Sequence, residues 1–464
     1  MRLNFLGDFQ MATVTLVYPY FHPRADTSMF RFPPLGLGYI AAYLKQQGIS
    51  VEVVDCTFMK QKDALRKIID SKPKIIGIQS MYSMKEKSLE LAKLLKAHCE
   101  LLIVGGALPT TEPEPFLDDF DIAVVGEGEQ TMFELVNQFI NGGDLSQIKG
   151  IVYREKNTNQ IRRSPSRSLN EDLNAFPNPS RDSFENNAYK KYYSNKFGYT
   201  TTAVMTSRGC PFTCDFCSKP VFGNNFRARS TSKVVDEIEE VISLGYNRIW
   251  FADDCFTLDR NRLIGICNEI INRGLKIGWE CLSRVDTLDP ETVDKMKQAG
   301  CIRMFFGIES GNDSILALMK KQITISQVRK ALFLCKQNGI KAGAFFIVGY
   351  PGENDKTVLE TTRFASSLPL DYLSFTMPYP IPGTPLYERL NGELISNEWQ
   401  EPKNINLVKH KLLFESRLSE NKLKFAIIKG MIQFYIRKHT GEKGYKLLGT
   451  PFETLTDAFY NLMH

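Results

Sequence analysis

No apolar stretch in this 464-residue sequence approaches the roughly 18–20 residues that a membrane-spanning helix needs, and the longest, Ala342 to Val348, reads as a buried strand. No secretory signal is visible, so the sequence places the protein in the cytoplasm. Charge of one sign is scarce as well. The 58 basic and 52 acidic residues leave a net +6, too slight a bias to argue for nucleic acid as a partner. There is no repeat of fixed period and no low-complexity tract. Histidine is sparse, limited to His22, His98, His410, His439 and His464.

What is present belongs to a globular protein. A hydrophobic content of 43% and a charged content of 24% exclude wholesale disorder and fibrous architecture, and the length suits two or three domains. Residues 401–464 hold eleven Lys/Arg against six Asp/Glu, so most of the net charge sits in this tail. Of ten cysteines, Cys210, Cys214 and Cys217 fall within eight residues. In a long chain without a secretory signal, that clustering points to a metal site in a reducing compartment rather than to disulfides.

From Thr13 to Glu129, β-branched runs (Val14–Tyr18, Val51–Asp55, Ile75–Ser80, Leu101–Gly105, Ile122–Val125) alternate with helical stretches, which predicts a doubly wound parallel sheet in an α/β fold. Such sheets bind ligands at the carboxyl ends of their strands, where Gly105-Gly106 through Thr110 and Gly126-Glu127-Gly128 offer close backbone approach. Neither loop matches the GxGxxG dinucleotide pattern. Residues 150–163 suggest a hairpin, and the Pro/Ser/Asn-rich stretch that follows reads as a linker. A second βα series starts near Thr201 and runs through Arg248–Ala252, Lys276–Ser283, Ile302–Ile308, Ala342–Val348 and Tyr372–Met377. Six such repeats suit a partial barrel. The expected division is therefore 1–149, a hairpin and linker over 150–195, a barrel over 196–390 and a helical region over 391–464.

Cys210-x3-Cys214-x2-Cys217 lies in the loop after the first barrel strand. Three thiolates at this spacing can hold three irons of a [4Fe–4S] cube and leave the fourth iron open to a ligand other than cysteine. Structural zinc would need a fourth Cys or His, and the nearest histidines in sequence are His98 and His410.

The triplet in this position resembles the radical S-adenosylmethionine superfamily. So do Phe251–Phe256, Ser283-Arg284-Val285-Asp286, Gly307-Ile308-Glu309-Ser310-Gly311, Gly349-Tyr350-Pro351-Gly352-Glu353 and Pro382–Tyr387, which are similar to successive strand-end motifs of the branch carrying an N-terminal cobalamin-binding domain. The resemblance spans about residues 13–390. It implies three cofactors: a [4Fe–4S] cluster on Cys210, Cys214 and Cys217, S-adenosylmethionine, and cobalamin.

S-adenosylmethionine carries an ammonium, a sulfonium and a carboxylate, so its site needs acidic partners and a cation. Asp253, Asp254 and Glu309, with Ser310, are candidates for the ammonium and ribose, and Arg284 for the carboxylate. Two local alternatives stand beside these: Arg284 could pair with Asp286, and Asp254 could cap a helix over 258–272. In the family the fifth barrel strand lies against the adenine, which implicates Phe346, Ile347 and Val348, with Gly349 and Gly352 relaxing the chain where it bends around the nucleoside. Gly105, Gly106, Thr110, Gly126 and Gly128 are the candidates for cobalamin. The loop after the second strand, Asp55–Lys60, lacks the histidine that many cobalamin domains place beneath cobalt. Cys255 and Cys281 lie near the expected site and could line a substrate cavity.

The activity this implies is a C-methyltransferase acting on an unactivated carbon through a 5′-deoxyadenosyl radical and methylcobalamin, with an electron donor such as flavodoxin or ferredoxin. A radical cyclase or rearrangement enzyme of the tetrapyrrole or hopanoid type shares the same motifs. An iron–sulfur redox protein would instead need four cysteines per cluster. A protein side chain, a peptide, a lipid and a tetrapyrrole all remain open as substrates. In the tail, Leu423, Ile427, Ile428, Met431, Phe434 and Tyr435 suggest one apolar helix face ringed by Lys422, Lys424, Lys429, Arg437 and Lys438. A helix docked on the barrel as a lid is favoured over one lying on a membrane surface, because stable anchoring takes a second signal.

Overall fold

The computed structural model describes residues 13–22, 28–155, 157–390, 392–395 and 411–463. Lys403, Lys409, His410 and His464 of the tail lie outside them. The chain forms two compact units, one running through Ala203 and including Pro220–Gly223, the other made of Val204–Lys219 and the chain from Asn224 onward.

In the first unit β1 (Val14–Tyr18), β2 (Val51–Asp55), β3 (Ile75–Gln79), β4 (Leu101–Gly105) and β5 (Ile122–Val124) pair in parallel in the order β2-β1-β3-β4-β5. Their near-continuous Val/Ile/Leu runs follow from helices covering both faces. The order reverses between β1 and β3, so the crevice of this doubly wound sheet opens at the carboxyl ends of those two strands. The hairpin β6 (Ile151–Arg154) and β7 (Ile161–Arg163) is not part of a loose connection. It continues the sheet antiparallel, β6 pairing with β5, because Ile151 and Val152 complete the buried face. Within the stretch read as linker, a helix forms over Asn186–Phe197, burying only Tyr189 and Tyr193 and ending at left-handed Gly198.

β8 (Thr201–Val204) spans the boundary of the two units, and after it come a short antiparallel ladder of β9 (Ser207–Arg208) with β10 (Arg227–Ala228), then β11 (Arg248–Phe251), β12 (Gly278–Ser283), β13 (Cys301–Glu309), β14 (Lys341–Ile347) and β15 (Tyr372–Thr376). β8 and β11 to β15 lie side by side in chain order, as a partial barrel requires. Every βα loop thus emerges at one end.

The tail helix Glu420–Gly444 docks along the helix Asp355–Ser367 and β15. It buries Leu423, Ala426, Ile427, Gly430, Gln433 and Phe434, so the face drawn for a membrane is covered by the barrel. The face read from sequence needs correction: Tyr435 is half exposed, whereas Lys422 and Lys429 are buried and ion-paired with Asp355 and Asp457. Only the first turns reach the strand ends, where Leu423 packs on Gly349. Among the described residues no helix is long and apolar enough to cross a membrane.

Candidate active site

The β9/β10 ladder closes the base of the loop that carries the three cysteines, and Asp253 fixes that base. Its carboxylate, 1% exposed, accepts from Thr206 N (2.6 Å), Thr206 Oγ1 and Ser207 Oγ (2.6 Å). Arg262 Nη2 donates to the Thr206 carbonyl from the other side (2.7 Å). All three bonds run to the base of the cysteine loop, so the Asp253 carboxylate braces that base. Asp254 beside it is exposed and accepts from the Gly209 N–H. Desolvation and the Asp253 charge push its pKa up, with Lys219 opposing. It does not cap the following helix, which runs over Arg260–Asn272 and is capped by Asp259.

Within the loop, the Cys217 N–H closes a turn on the Cys214 carbonyl (3.2 Å), and Lys219 Nζ donates to the carbonyls of Cys210 (2.7 Å) and Phe212. Desolvation and the neighbouring Cys214 push the Cys217 thiol up to about 11. Among the described residues no three His, Cys, Asp or Glu side chains converge on a point where one metal ion would sit.

Sequence reasoning missed the anchor of this loop, Asp215. It is 1% exposed; its N–H donates to the Met319 carbonyl (3.1 Å) and its carbonyl accepts from the Leu386 N–H (2.9 Å). Its carboxylate accepts from the Tyr350 hydroxyl and pairs with Arg389 (3.1 Å). The Gly349–Glu353 and Pro382–Tyr387 motifs therefore both end on the residue between Cys214 and Phe216. An aspartate between two cysteines gave no signal of its own.

Arg284 lies with its guanidinium 3.5 Å over the Phe212 ring. It forms the local pair: Nε and Nη2 each donate to Asp286 at 2.9 Å, and Nη2 also reaches the Lys321 carbonyl (3.0 Å). Glu309 ends β13 in a left-handed conformation (φ +72°) after a register shift against β14, and its carboxylate pairs with Lys321 Nζ at 3.1 Å. Burial pulls the Lys321 ammonium down, but Glu309 and Cys214 more than offset this and its pKa is raised. Gly307 makes room for the pair, since a Cβ there would stand 2.3 Å from Glu309 Oε1. Lys321, like Asp215, was not singled out from the sequence.

Ser310 is fully buried, with its hydroxyl bonded to Thr361 Oγ1 (3.1 Å) and accepting from the Asn312 N–H (3.2 Å). Ile347 packs with Ile315, Met319, Tyr350 and the loop's Phe216. Gly349 and Tyr350 donate their N–H groups to Glu353 Oε2 (2.7 and 2.9 Å). Glu353 Oε1 is buried without a hydrogen-bond partner, and desolvation pushes its pKa up to about 7. Cys281 belongs to the barrel core, and Cys255 is buried with its thiol 3.8 Å from Thr257 Oγ1.

In the first unit, Thr110 Oγ1 donates to the Gly106 carbonyl (2.7 Å) and accepts from the Gly126 N–H (3.1 Å), tying the two glycine loops together. Packing within the unit accounts for two of the glycines: a Cβ at Gly106 would meet the Ser80 carbonyl at 2.6 Å, and one at Gly128 would meet Ile40 at 2.7 Å. Gly105 meets only Val124, at an ordinary 3.6 Å. Gly126, at φ +89°, faces open space and is the position where a ligand can approach the backbone. The Asp55 loop is closed by Thr57 and by the Tyr189 hydroxyl (2.7 Å).

Comparisons with known proteins agree with this architecture. Residues 204–365 match the radical SAM superfamily and residues 22–136 the B12 binding domain. An uncharacterized methyltransferase, PH0819 of Pyrococcus horikoshii, is 34% identical over 87% of this chain and 88% of its own length. The anaerobic magnesium-protoporphyrin IX monomethyl ester cyclase of Rubrivivax gelatinosus is 31% identical over 82% of this chain and 70% of its own. The fold is similar to that of OxsB, a cobalamin-dependent S-adenosylmethionine radical enzyme solved with aqua-cobalamin and S-adenosylmethionine bound (TM-score 0.73, 20% identity, 98% of this chain, 72% of that one). The chain thus belongs to the radical SAM superfamily, in the branch that carries a B12-binding domain ahead of the barrel.

Proposed function

We propose that the protein is a cobalamin-dependent C-methyltransferase acting on an unactivated carbon. The observation that carries the radical chemistry is the loop of Cys210, Cys214 and Cys217, braced by Asp215 and Asp253, with the carboxylates of Asp254 after β11 and Glu309 at the end of β13. Methyl transfer is supported by the methyltransferase-named relative, which matches this chain over nearly the whole of both lengths, against 70% of the cyclase. When bound, the cluster, S-adenosylmethionine and methylcobalamin supply a 5′-deoxyadenosyl radical and a methyl group.

The chain's own residues bind and orient. Cys210, Cys214 and Cys217 hold the irons, and Phe212, under Arg284, keeps the loop flat against the strand ends. Asp254 and Glu309 take hydroxyl and ammonium groups of the nucleoside. Ile347 and the backbone at Gly349 form its adenine side, where Glu353 fixes the turn. Gly126 and Thr110 hold the corrin side chains. A low-potential carrier such as flavodoxin or ferredoxin supplies the electron.

The test is a stoichiometry on anaerobically reconstituted protein with candidate substrates. A methyltransferase yields 5′-deoxyadenosine and S-adenosylhomocysteine together, one of each per methylated product. A cyclase yields deoxyadenosine without S-adenosylhomocysteine, and that result would refute the methyl-transfer reading.

A further inference from the structure

The helix Thr450–Leu462 is amphipathic, yet it docks by its polar side. Asp457 pairs with Arg363 and with the buried Lys429. Glu453 pairs with Arg363 Nε at 2.6 Å and accepts from the Tyr445 hydroxyl (2.9 Å), and the ring of the buried Tyr460 faces the Lys422 ammonium. Residues 453, 457 and 460 share one helix face. Pro451, Leu455, Ala458, Phe459 and Leu462, at i, i+4, i+7, i+8 and i+11, make up the opposite face, and all of them are exposed. Leu447 and Leu448, in the turn just before, are exposed as well, so that four leucines and Phe459 stand between 54 and 76% open to solvent. Single exposed leucines are ordinary, but a row of them along one helix marks a surface that something else covers.

Charge selects the cover. The two acids of the helix are neutralised inward by Arg363 and Lys429, and Glu442 is taken by Arg437 (3.0 Å). Lys443 and Lys446, next to Leu447 and Leu448, are exposed and unpaired among the described residues. A neighbouring groove is lined by Arg329, Lys336, Arg437 and Lys438, with Glu442 its one acid. Its residues Ser366 and Ser367 lie one helical turn beyond Arg363, the residue that holds the terminal helix. A second copy seated on the same face about a two-fold axis would set these cations against their own images. An anionic bilayer meets them with counter-charge and takes up the apolar row at its headgroup boundary. With 13 residues the helix is too short to cross a bilayer and is suited to lie along one.

We infer that the helix Thr450–Leu462 is a foot by which the protein rests on an anionic membrane surface, with Leu455, Phe459 and Leu462 in the headgroup boundary and Lys443, Lys446 and the groove cations on lipid phosphates. The apolar row and the basic cluster are two separate signals, as stable surface anchoring requires. This is a different element from the helix Glu420–Gly444, whose apolar face the barrel covers. The inference holds for a methyltransferase and a cyclase alike, because it uses no residue of the cysteine loop or the strand ends.

The test is co-sedimentation of the full chain with vesicles of phosphatidylcholine mixed with phosphatidylglycerol, and with vesicles of phosphatidylcholine alone. Partitioning should be about tenfold or more stronger on the anionic vesicles and should weaken as salt is added. Leu455→Ser combined with Leu462→Ser should lower partitioning on anionic vesicles by about tenfold or more. Lys443→Glu combined with Lys446→Glu should lower it by about 30-fold or more. All four positions are exposed, so both double variants should keep the circular dichroism and Tm of the wild type. If the serine pair unfolds, the lysine pair, which alters only exposed charges, decides. No sedimentation with anionic vesicles, equal binding to both kinds of vesicle, or binding that neither folded variant changes would overturn the inference. A dimer in analytical ultracentrifugation that the serine pair abolishes, in protein that ignores vesicles, would assign the apolar row to a second copy and overturn it as well.

Discussion

Asp253 separates a residue that builds the cluster loop from one that touches the nucleoside. Replacing it by Ala leaves the Thr206 N–H and the Thr206 and Ser207 hydroxyls without their acceptor in a region that is at most a few per cent exposed. Stranding buried donors costs about 1–3 kcal/mol each, with hydroxyls able to turn elsewhere, so about 3–5 kcal/mol is expected in all. At about 2–4 °C per kcal/mol for a unit of this size, Tm should fall by about 10 °C. Asp253→Asn keeps an acceptor for the Thr206 N–H, and both hydroxyls can rotate to accept from the amide, so its cost should be about 1 kcal/mol. Thermal unfolding and iron content after anaerobic reconstitution should therefore fall together in the Ala variant and stay near wild type in the Asn variant, whose affinity for S-adenosylmethionine should be unchanged. An Asn variant with full cluster and normal Tm that no longer binds S-adenosylmethionine would refute this reasoning and return Asp253 to the nucleoside.

Gly307→Ala should cost little stability, because the Glu309 carboxylate in its way is the end of a side chain that can shift, yet it should weaken S-adenosylmethionine about tenfold or more by dialysis. Glu353 carries a carboxyl raised from its ordinary 4.5 to about 7, so the folded state keeps that proton longer than the unfolded chain. Stability should fall as pH rises from about 5 to about 7 and level off above; in denaturant titrations at several pH values, Glu353→Gln should remove this part of the slope, at most about 1.4 kcal/mol per pH unit. Thr110→Val should leave the first unit folded by circular dichroism and reduce the cobalamin retained on gel filtration, since it cuts the link between the two glycine loops.

The parts of this protein set by period were legible in its sequence. Strands such as Leu101–Gly105 and Lys341–Ile347 announce themselves as apolar runs, and the cysteine spacing carries its own chemistry. What stayed hidden depends on contacts across long separations. The hairpin Ile151–Arg163 is legible as a hairpin, but its place in the first sheet beside β5 is not. The helix Asn186–Phe197 has no apolar stripe, only two tyrosines that find partners far away in sequence. Asp215 and Lys321 look like surface charges between a cysteine and a phenylalanine, and in a run of lysines; their roles exist only once Arg389 and Glu309 are brought to them. Asp253 and Asp254 are adjacent in sequence, and only the fold tells the inward carboxylate from the outward one.

The docked tail helix also bears on solubility. β15 is the last strand of an open sheet, and an uncovered edge of that kind is a template for adding strands from another molecule. The helix Glu420–Gly444 packs close to this strand, a Cβ at Gly430 standing 3.2 Å from the Phe375 ring, and Lys438 Nζ donates to the Asp371 carbonyl just before the strand begins (2.7 Å). Its first turn meanwhile seats Leu423 on Gly349 at the strand-end loop. One element thus packs on the sheet's last strand and reaches the strand-end loop at Gly349. Truncations that remove it should yield aggregates before they yield an informative loss of activity, and the barrel is best studied with its tail attached.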